Sequence, residues 1–414
     1  MKKQGIIFGL TFFVVIIITG TAAAEDGTWV IENVDNTSQS TKTSLAFDLD
    51  GNPHVSYLAN PQGDLMYASK IGDNPWSTEM VASTGALDYY SSLAFDLDGN
   101  PHISYFDNNN DDLMYASKIG ANPWSIETVD STGTVGFYSS LAFDLDGNPH
   151  ISYYDTTNSN LKYASKIGAN PWSIETVDSA GVNGIMSSLA FDLDGNPHVS
   201  YLANPQGDLM YASKIGANPW SIETVDCNGW HTGSSLAFDL DGNPHISYQS
   251  TLYFDLMYAS KIGANPWSIE TVDSIGAVGF DSSLAFDSKG YPHIGYRDDI
   301  NHDLKYASKI GVDQWSFETV DGTDGVGFGN SLAFDLDGNP HISCIDITNG
   351  FIKYASFVPT LITVDSRSDN NVEVNVANGM NIKTIGMQTT GSPVVWMIFP
   401  VIVMFAGLVI LRRN

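Results

Sequence analysis

Seven histidines recur at one place in the chain: His54, His102, His150, His198, His245, His293 and His341. Each follows an acidic turn, as in Asp144-Leu145-Asp146-Gly147-Asn148-Pro149-His150. Imidazoles and carboxylates are metal ligands and acid–base groups, and the Asp-x-Asp-x-Asn order resembles the start of a calcium loop. Sevenfold repetition argues against both. A metal needs several ligands converging at ~2 Å on one ion, and one histidine per repeat keeps them apart. The calcium loop also requires a bidentate glutamate at its twelfth position, which is missing. One copy, Asp287-Ser288-Lys289-Gly290-Tyr291, drops the second acid and keeps the glycine, as a hairpin turn does. Calcium is therefore disfavoured and no cofactor is expected. The histidines are read as braces between repeats.

Glu127 and its equivalents recur in the same way. General acid–base catalysis uses an asymmetric pair of groups with split pKa values, not equivalent carboxylates. The unrepeated candidates are His231, His302 and Arg297. A lyase or hydrolase would need them to converge in a deep central pocket.

These residues are placed by a repeat. Ser-Leu-Ala-Phe-Asp begins at Ser44, Ser92, Ser140, Ser188, Ser235, Ser283 and Ser331, with 48 residues between starts in five of six steps and 47 in the other. Within one unit, Leu141–Asp144, His150–Tyr153, Leu161–Ala164 and Trp172–Val177 alternate apolar and polar residues between Gly, Pro, Asn and Asp clusters. That pattern gives four short strands. Four strands at a period above 40 residues predict the blades of an all-β, seven-bladed β-propeller. The tryptophan strands start at Trp29, Trp76, Trp124, Trp172, Trp220, Trp267 and Trp315, so the first precedes the first Ser-Leu-Ala-Phe-Asp and the last unit has none. The N-terminal strand is thus expected to complete the seventh blade, which hides the open sheet edges.

Two strand links per unit are nearly constant and open on one face. The other two vary and open on the opposite face. Loops on a rigid scaffold carry recognition, so the varied positions are the candidate ligand site. They are Tyr90, Tyr138, His231 and Asp281, each the second residue of a pair before an inner strand and expected to ring the mouth of the central channel, with Trp230 beside His231 as a further candidate from the usually structural first position. Asp107, Asp155, Arg297, Asp298 and His302 join them from the second-to-third links. The expected partner is a carbohydrate or a cell-surface protein. An enzyme and a purely structural envelope protein are the alternatives.

Composition narrows the partners. A net charge of −29 and a pI near 4.3 exclude nucleic acid, whose phosphates call for lysine and arginine. Such acidity favours a soluble monomer. Only two cysteines, Cys227 and Cys344, are present, so no disulfide framework is expected. Residues 1–24 run from Met1-Lys2-Lys3 through an apolar stretch to Ala22-Ala23-Ala24, the form of a secretory signal peptide. Val394 to Leu411 is uncharged and followed by Arg412-Arg413. A transmembrane helix over 393–411 with a cytoplasmic tail, 412–414, is expected. The propeller takes 25–358 and a polar stalk 359–392. The predicted location is the cell surface, with a single membrane pass.

The seven Phe-Asp-x-x-Gly-x-Pro-His-(Ile/Val)-x-(Tyr/Cys) units resemble the propeller repeats of bacterial and archaeal surface proteins, and the sialidase-type repeats of propeller polysaccharide lyases. The resemblance covers Trp29 to Ser356 and implies the fold. It implies no activity, because the sialidase Ser-x-Asp-x-Gly-x-Thr-Trp turn is not matched and Arg297 is the only arginine in the propeller, where sialidases use three. The adjacent histidines often found in the lyases are missing too.

Overall fold

The computed structural model describes residues 27–36, 42–59, 63–85, 90–204, 207–229, 231–311, 314–366, 371–378, 381–388 and 409–412. They fall into two units, one of which is Gly27–Pro359.

That unit contains seven four-stranded antiparallel sheets and, among the described residues, no helix. In the third blade Val135–Phe143, Pro149–Asp155, Asn160–Ser165 and Ser173–Asp178 pair in chain order. Short β-branched and aromatic runs with tight Asp-Gly turns favour this meander over any helix. The seventh blade is different. Its outer strand is Gly27–Asp35, paired with Phe351–Pro359 in a register that runs from Gly27↔Pro359 to Asp35↔Ile352. The ring is closed by the displaced first strand, as the tryptophan count requires.

The core lies between blades. Leu113, Tyr115 and Val129 of the second blade pack with Leu141, Ile151, Tyr153 and Ala164 of the third, and equivalent clusters recur around the ring. Each leucine, isoleucine or valine side chain among them contributes roughly 1.5–3 kcal/mol on burial.

The repeated polar residues fasten these seams. His150 Nε2 lies 3.1 Å from Asp144 Oδ2, and its Nδ1 lies 2.5 Å from the Tyr163 hydroxyl. With Tyr163 donating, His150 is the neutral Nε2–H tautomer. The ring meets Phe191 of the next blade edge-on at 4.9 Å. Lys166 pairs with Glu127 of the preceding blade at 2.7 Å, and Tyr163 packs edge-on against Trp220. The histidines and tryptophans are bracing elements.

In the other unit, Leu361–Ser366, Asn371–Asn378 and Asn381–Gln388 form an antiparallel sheet, with Val409–Arg412 parallel to Leu361–Ser366. Residues 1–24, expected as a signal peptide, lie outside the described residues, and so does the expected membrane span 393–411 apart from the residues in Val409–Arg412. No helix among the described residues is long and apolar enough to cross a membrane.

Candidate functional site

Six of the seven inner strands carry a hydroxyl pair, Thr43-Ser44 in the first blade and Ser-Ser in the next five, and the seventh carries Asn330-Ser331. The second member is the serine of Ser-Leu-Ala-Phe-Asp, and its Oγ accepts the leucine N–H of the next blade. The series Ser44 to Leu93, Ser92 to Leu141, Ser140 to Leu189 continues around to Ser331 and Leu45 at 2.9–3.1 Å. The first member bonds to the second strand of the preceding blade, as in Ser104–Ser139 and Ser200–Ser234 at 3.0 Å. Serine is therefore fixed here by the closure of the ring.

The residue just before the pair is not fixed. It is Lys42, Tyr90, Tyr138, Met186, Gly233, Asp281 and Gly329 in successive blades. All but Gly329 line one cavity of about 140 Å³ at the central channel, together with the hydroxyl pairs and Asn330. A bulge precedes the pair in several blades, for instance between Phe137 and Ser140. Its backbone is left-handed at Tyr138 (φ 53°), Met186 (54°), Gly233 (60°), Asp281 (50°) and Gly329 (51°). A side chain in that conformation costs about 1–2 kcal/mol, and glycine avoids the cost. The strained residues are pinned by the next blade, whose hydroxyl or amide donates to their carbonyls: Ser187 to Tyr138, Ser234 to Met186 and Asn330 to Asp281, at 2.8–3.0 Å.

The mouth is asymmetric. The Tyr90 and Tyr138 rings lie 4.8 Å apart at 50°, and Lys42 Nζ sits 4.6 Å from the Tyr90 centroid. Burial lowers the Lys42 pKa, against the attraction of Asp281. Burial, with the Asp281 and Tyr138 charges, raises that of Tyr90. Asp281 Oδ2 accepts the Gly329 N–H at 2.9 Å.

Tyr90, Tyr138 and Asp281 thus stand where the sequence places them, while His231 does not. The 47-residue step is a deletion between His231 and Gly233. The His231 N–H bonds to Gly207 O as the Val135 N–H bonds to Asp111 O, so His231 occupies the valine position of the core and Gly233 occupies the mouth. Only 3 % of His231 is exposed; among the described residues neither ring nitrogen has a hydrogen-bond partner, and the nearest ion-pair carboxylate is Asp226 at 3.8 Å. Burial lowers its pKa. Trp230 lies outside the described residues.

The acidic loop residues turn inward. Asp155 is fully buried, with Oδ1 accepting Asn158 N and Oδ2 accepting Asn158 Nδ2, and Lys162 beside it at 3.2 Å. Asp107 and Asp298 cap their own loops in the same way. Arg297 is 5 % exposed, with its guanidinium over the Phe328 ring and paired with Asp299. His302 is exposed and pairs with Asp324 at 2.7 Å. Among the described residues the ion pairs of His231, Arg297 and His302 go to three different carboxylates, Asp226, Asp299 and Asp324.

The turn aspartates are equally occupied. Asp48 Oδ1 accepts the N–H groups of Asp50 and Asn52, and Oδ2 faces Asn52 and His54. Among the described residues no group of three or more His, Cys, Asp or Glu is arranged to hold a metal.

Two features escape the sequence reading. Lys42 takes the first blade's place at the mouth. The varied face also carries an apolar sector of Leu252, Tyr253, Phe254, Ile275, Ile300 and Ile347, with Tyr253 70 % and Ile275 82 % exposed. The corresponding links of the second and third blades hold Asn108–Asn110 and Thr156–Asn158.

No known family model matches this sequence, and no curated protein does. Solved structures share its fold. An ulvan lyase of a polysaccharide lyase family, bound to -[GlcA(1-4)Rha3S]-, is similar at TM-score 0.53 and 14 % identity, over 80 % of this chain and 96 % of its own. AofleA from Arthrobotrys oligospora is similar at TM-score 0.50 and 14 % identity, over 71 % and 89 %. The NanB sialidase from Streptococcus pneumoniae aligns at TM-score 0.46 and 10 % identity, over 83 % and 71 %. The chain is similar to the first two of these proteins in its fold.

Proposed function

We propose that this propeller is a carbohydrate-binding module displayed at the cell surface, exported by its N-terminal segment and held by the apolar segment at 393–411. The observation that carries the reading is the channel mouth. The serines of Ser-Leu-Ala-Phe-Asp recur in every blade beside one position that differs from blade to blade, and three of its occupants, Tyr138, Met186 and Asp281, keep side chains on a left-handed backbone. Paired tyrosines, a carboxylate, an ammonium group and hydroxyls are the mixture that grips a polyhydroxylated ring. The shared fold contributes the scaffold, not the ligand. Binding is favoured over turnover because His231 and Arg297 are buried, and His302 is engaged elsewhere. A glycan array probed with the full chain tests this, and silence across a broad array defeats it. Surface shaving of intact cells, with loss of the propeller epitope, tests the location.

The apolar sector supports a second reading, docking of a surface protein. Exposed apolar residues scattered singly are ordinary, whereas a grouped set marks an interaction surface. Tyr253→Ser with Ile275→Ser would then abolish partner capture and leave glycan binding unchanged.

A further inference from the structure

The mouth's chemistry can be taken further, on the basis of the carbohydrate reading. We propose that it binds the terminal ring of a neutral sugar, end-on and one per propeller, with Tyr90 and Tyr138 against the ring's C–H face and Asp281 and Lys42 at its hydroxyls.

Size sets the mode of entry. About 140 Å³ is well below the ~300–1,000 Å³ of sites that enclose larger ligands. A polymer does not thread such a channel, whereas a single end unit enters it. The position is also singular, since the seven blades jointly build one mouth. Binding is therefore monovalent.

Charge sets the class. Lys42 and Asp281 stand on the same rim and attract each other. An anionic sugar gains from Lys42 and loses to Asp281, and a cationic one does the reverse. A neutral hydroxyl donates to the carboxylate and accepts from the ammonium group, so it gains from both. Gly329 N–H occupies Asp281 Oδ2 and orients the carboxylate, and Oδ1 accepts no hydrogen bond among the described residues.

Aromatic geometry sets the orientation. At 50° the tyrosine rings form an open wedge rather than a closed stack. Tyr138 is held there by an unfavourable backbone conformation that Gly233 and Gly329 adopt freely at the same position. A large side chain retained at such a position is explained by what it touches.

The test is calorimetry on the full chain, in a detergent without a sugar head group. The probes are neutral methyl glycosides, a methyl glycoside of a uronic acid and an amino-sugar glycoside. We expect one site per chain for a neutral glycoside and at least tenfold weaker binding of the charged ones. Tyr138→Gly should weaken binding at least tenfold with the thermal melt unchanged or raised, and Asp281→Asn should weaken it severalfold. Tyr138→Phe, which keeps the ring, should stay within threefold. More than one site, a preference for a charged sugar, or full affinity in both Tyr138→Gly and Asp281→Asn overturns the proposal. A positive glycan array with unaffected variants removes only this site. A silent array removes the carbohydrate reading as well.

Discussion

The space a side chain would need at Gly295 is filled by Asn330. A Cβ built on Gly295 would stand 3.0 Å from Asn330 Oδ1. In the other blades the equivalent pair is two small hydroxyl residues in contact, such as Ser200 and Ser234 at 3.0 Å. Across this one seam a serine has become glycine and its partner has become asparagine, and the two changes compensate. Gly295→Ser alone should therefore destabilise by about 1–2 kcal/mol, as should Asn330→Ser. The double variant should recover most of the loss. Urea unfolding of all four proteins measures the coupling, and additive losses would contradict it.

His231 sits in the core without a hydrogen-bond partner on either nitrogen among the described residues, where three other blades carry Val135, Val278 and Val326. An unpaired buried polar group costs about 1–3 kcal/mol. His231→Val should raise stability by about 1–2 kcal/mol, read as a higher urea midpoint at an unchanged m-value.

Acid should weaken the ring in two stages. Burial lowers the pKa of His54, His102, His150, His198 and His245 below the ordinary 6.5. The folded state thus prefers them neutral. Their contribution is complete above pH 6.5 and is lost as pH falls from there through the folded values. The turn aspartates follow. At Asp335 burial acts to raise the pKa, but hydrogen bonds from His341 and Asn339 outweigh it and hold the carboxyl at about 2, against 3.8 ordinarily. That stabilisation is present above pH 3.8 and lost toward pH 2. Melting temperatures across pH 8 to 2 should fall first below 6.5 and again below 4. A flat profile down to pH 4 would refute the histidine part.

Removing Gly27–Asp35 should expose the edge of Phe351–Pro359 along its whole paired length. An unpaired flat edge recruits other chains. Light scattering should detect oligomers of the truncated protein, whereas the intact chain stays monomeric.

Blade number, strand order and ring closure were legible because the repeat states them seven times. The site was legible only in part. A single deleted residue moved His231 from the mouth into the core, and only the backbone register reveals which side of His231 the gap falls on. Asp107, Asp155 and Asp298 read as open acidic loops, yet an aspartate that caps its own turn has the same sequence signature as one facing a ligand. Lys42 carries no sequence signal of its place at the mouth, because no apolar partner precedes it as Phe137 precedes Tyr138. The constant histidines, by contrast, are legible as scaffold, since their sevenfold repetition matches the sevenfold bracing contacts.

Ring closure also orders events in time. The strand Gly27–Asp35 is made first, and its partner Phe351–Pro359 more than 300 residues later. At about 5–20 residues per second, the first strand waits roughly a quarter of a minute to a minute for its mate to be synthesised. Six blades can assemble in succession during that interval, but the seventh cannot. The newborn chain is thus an open horseshoe with Trp29 and Val34 unsheltered, and its most vulnerable moment falls at the very end of its birth.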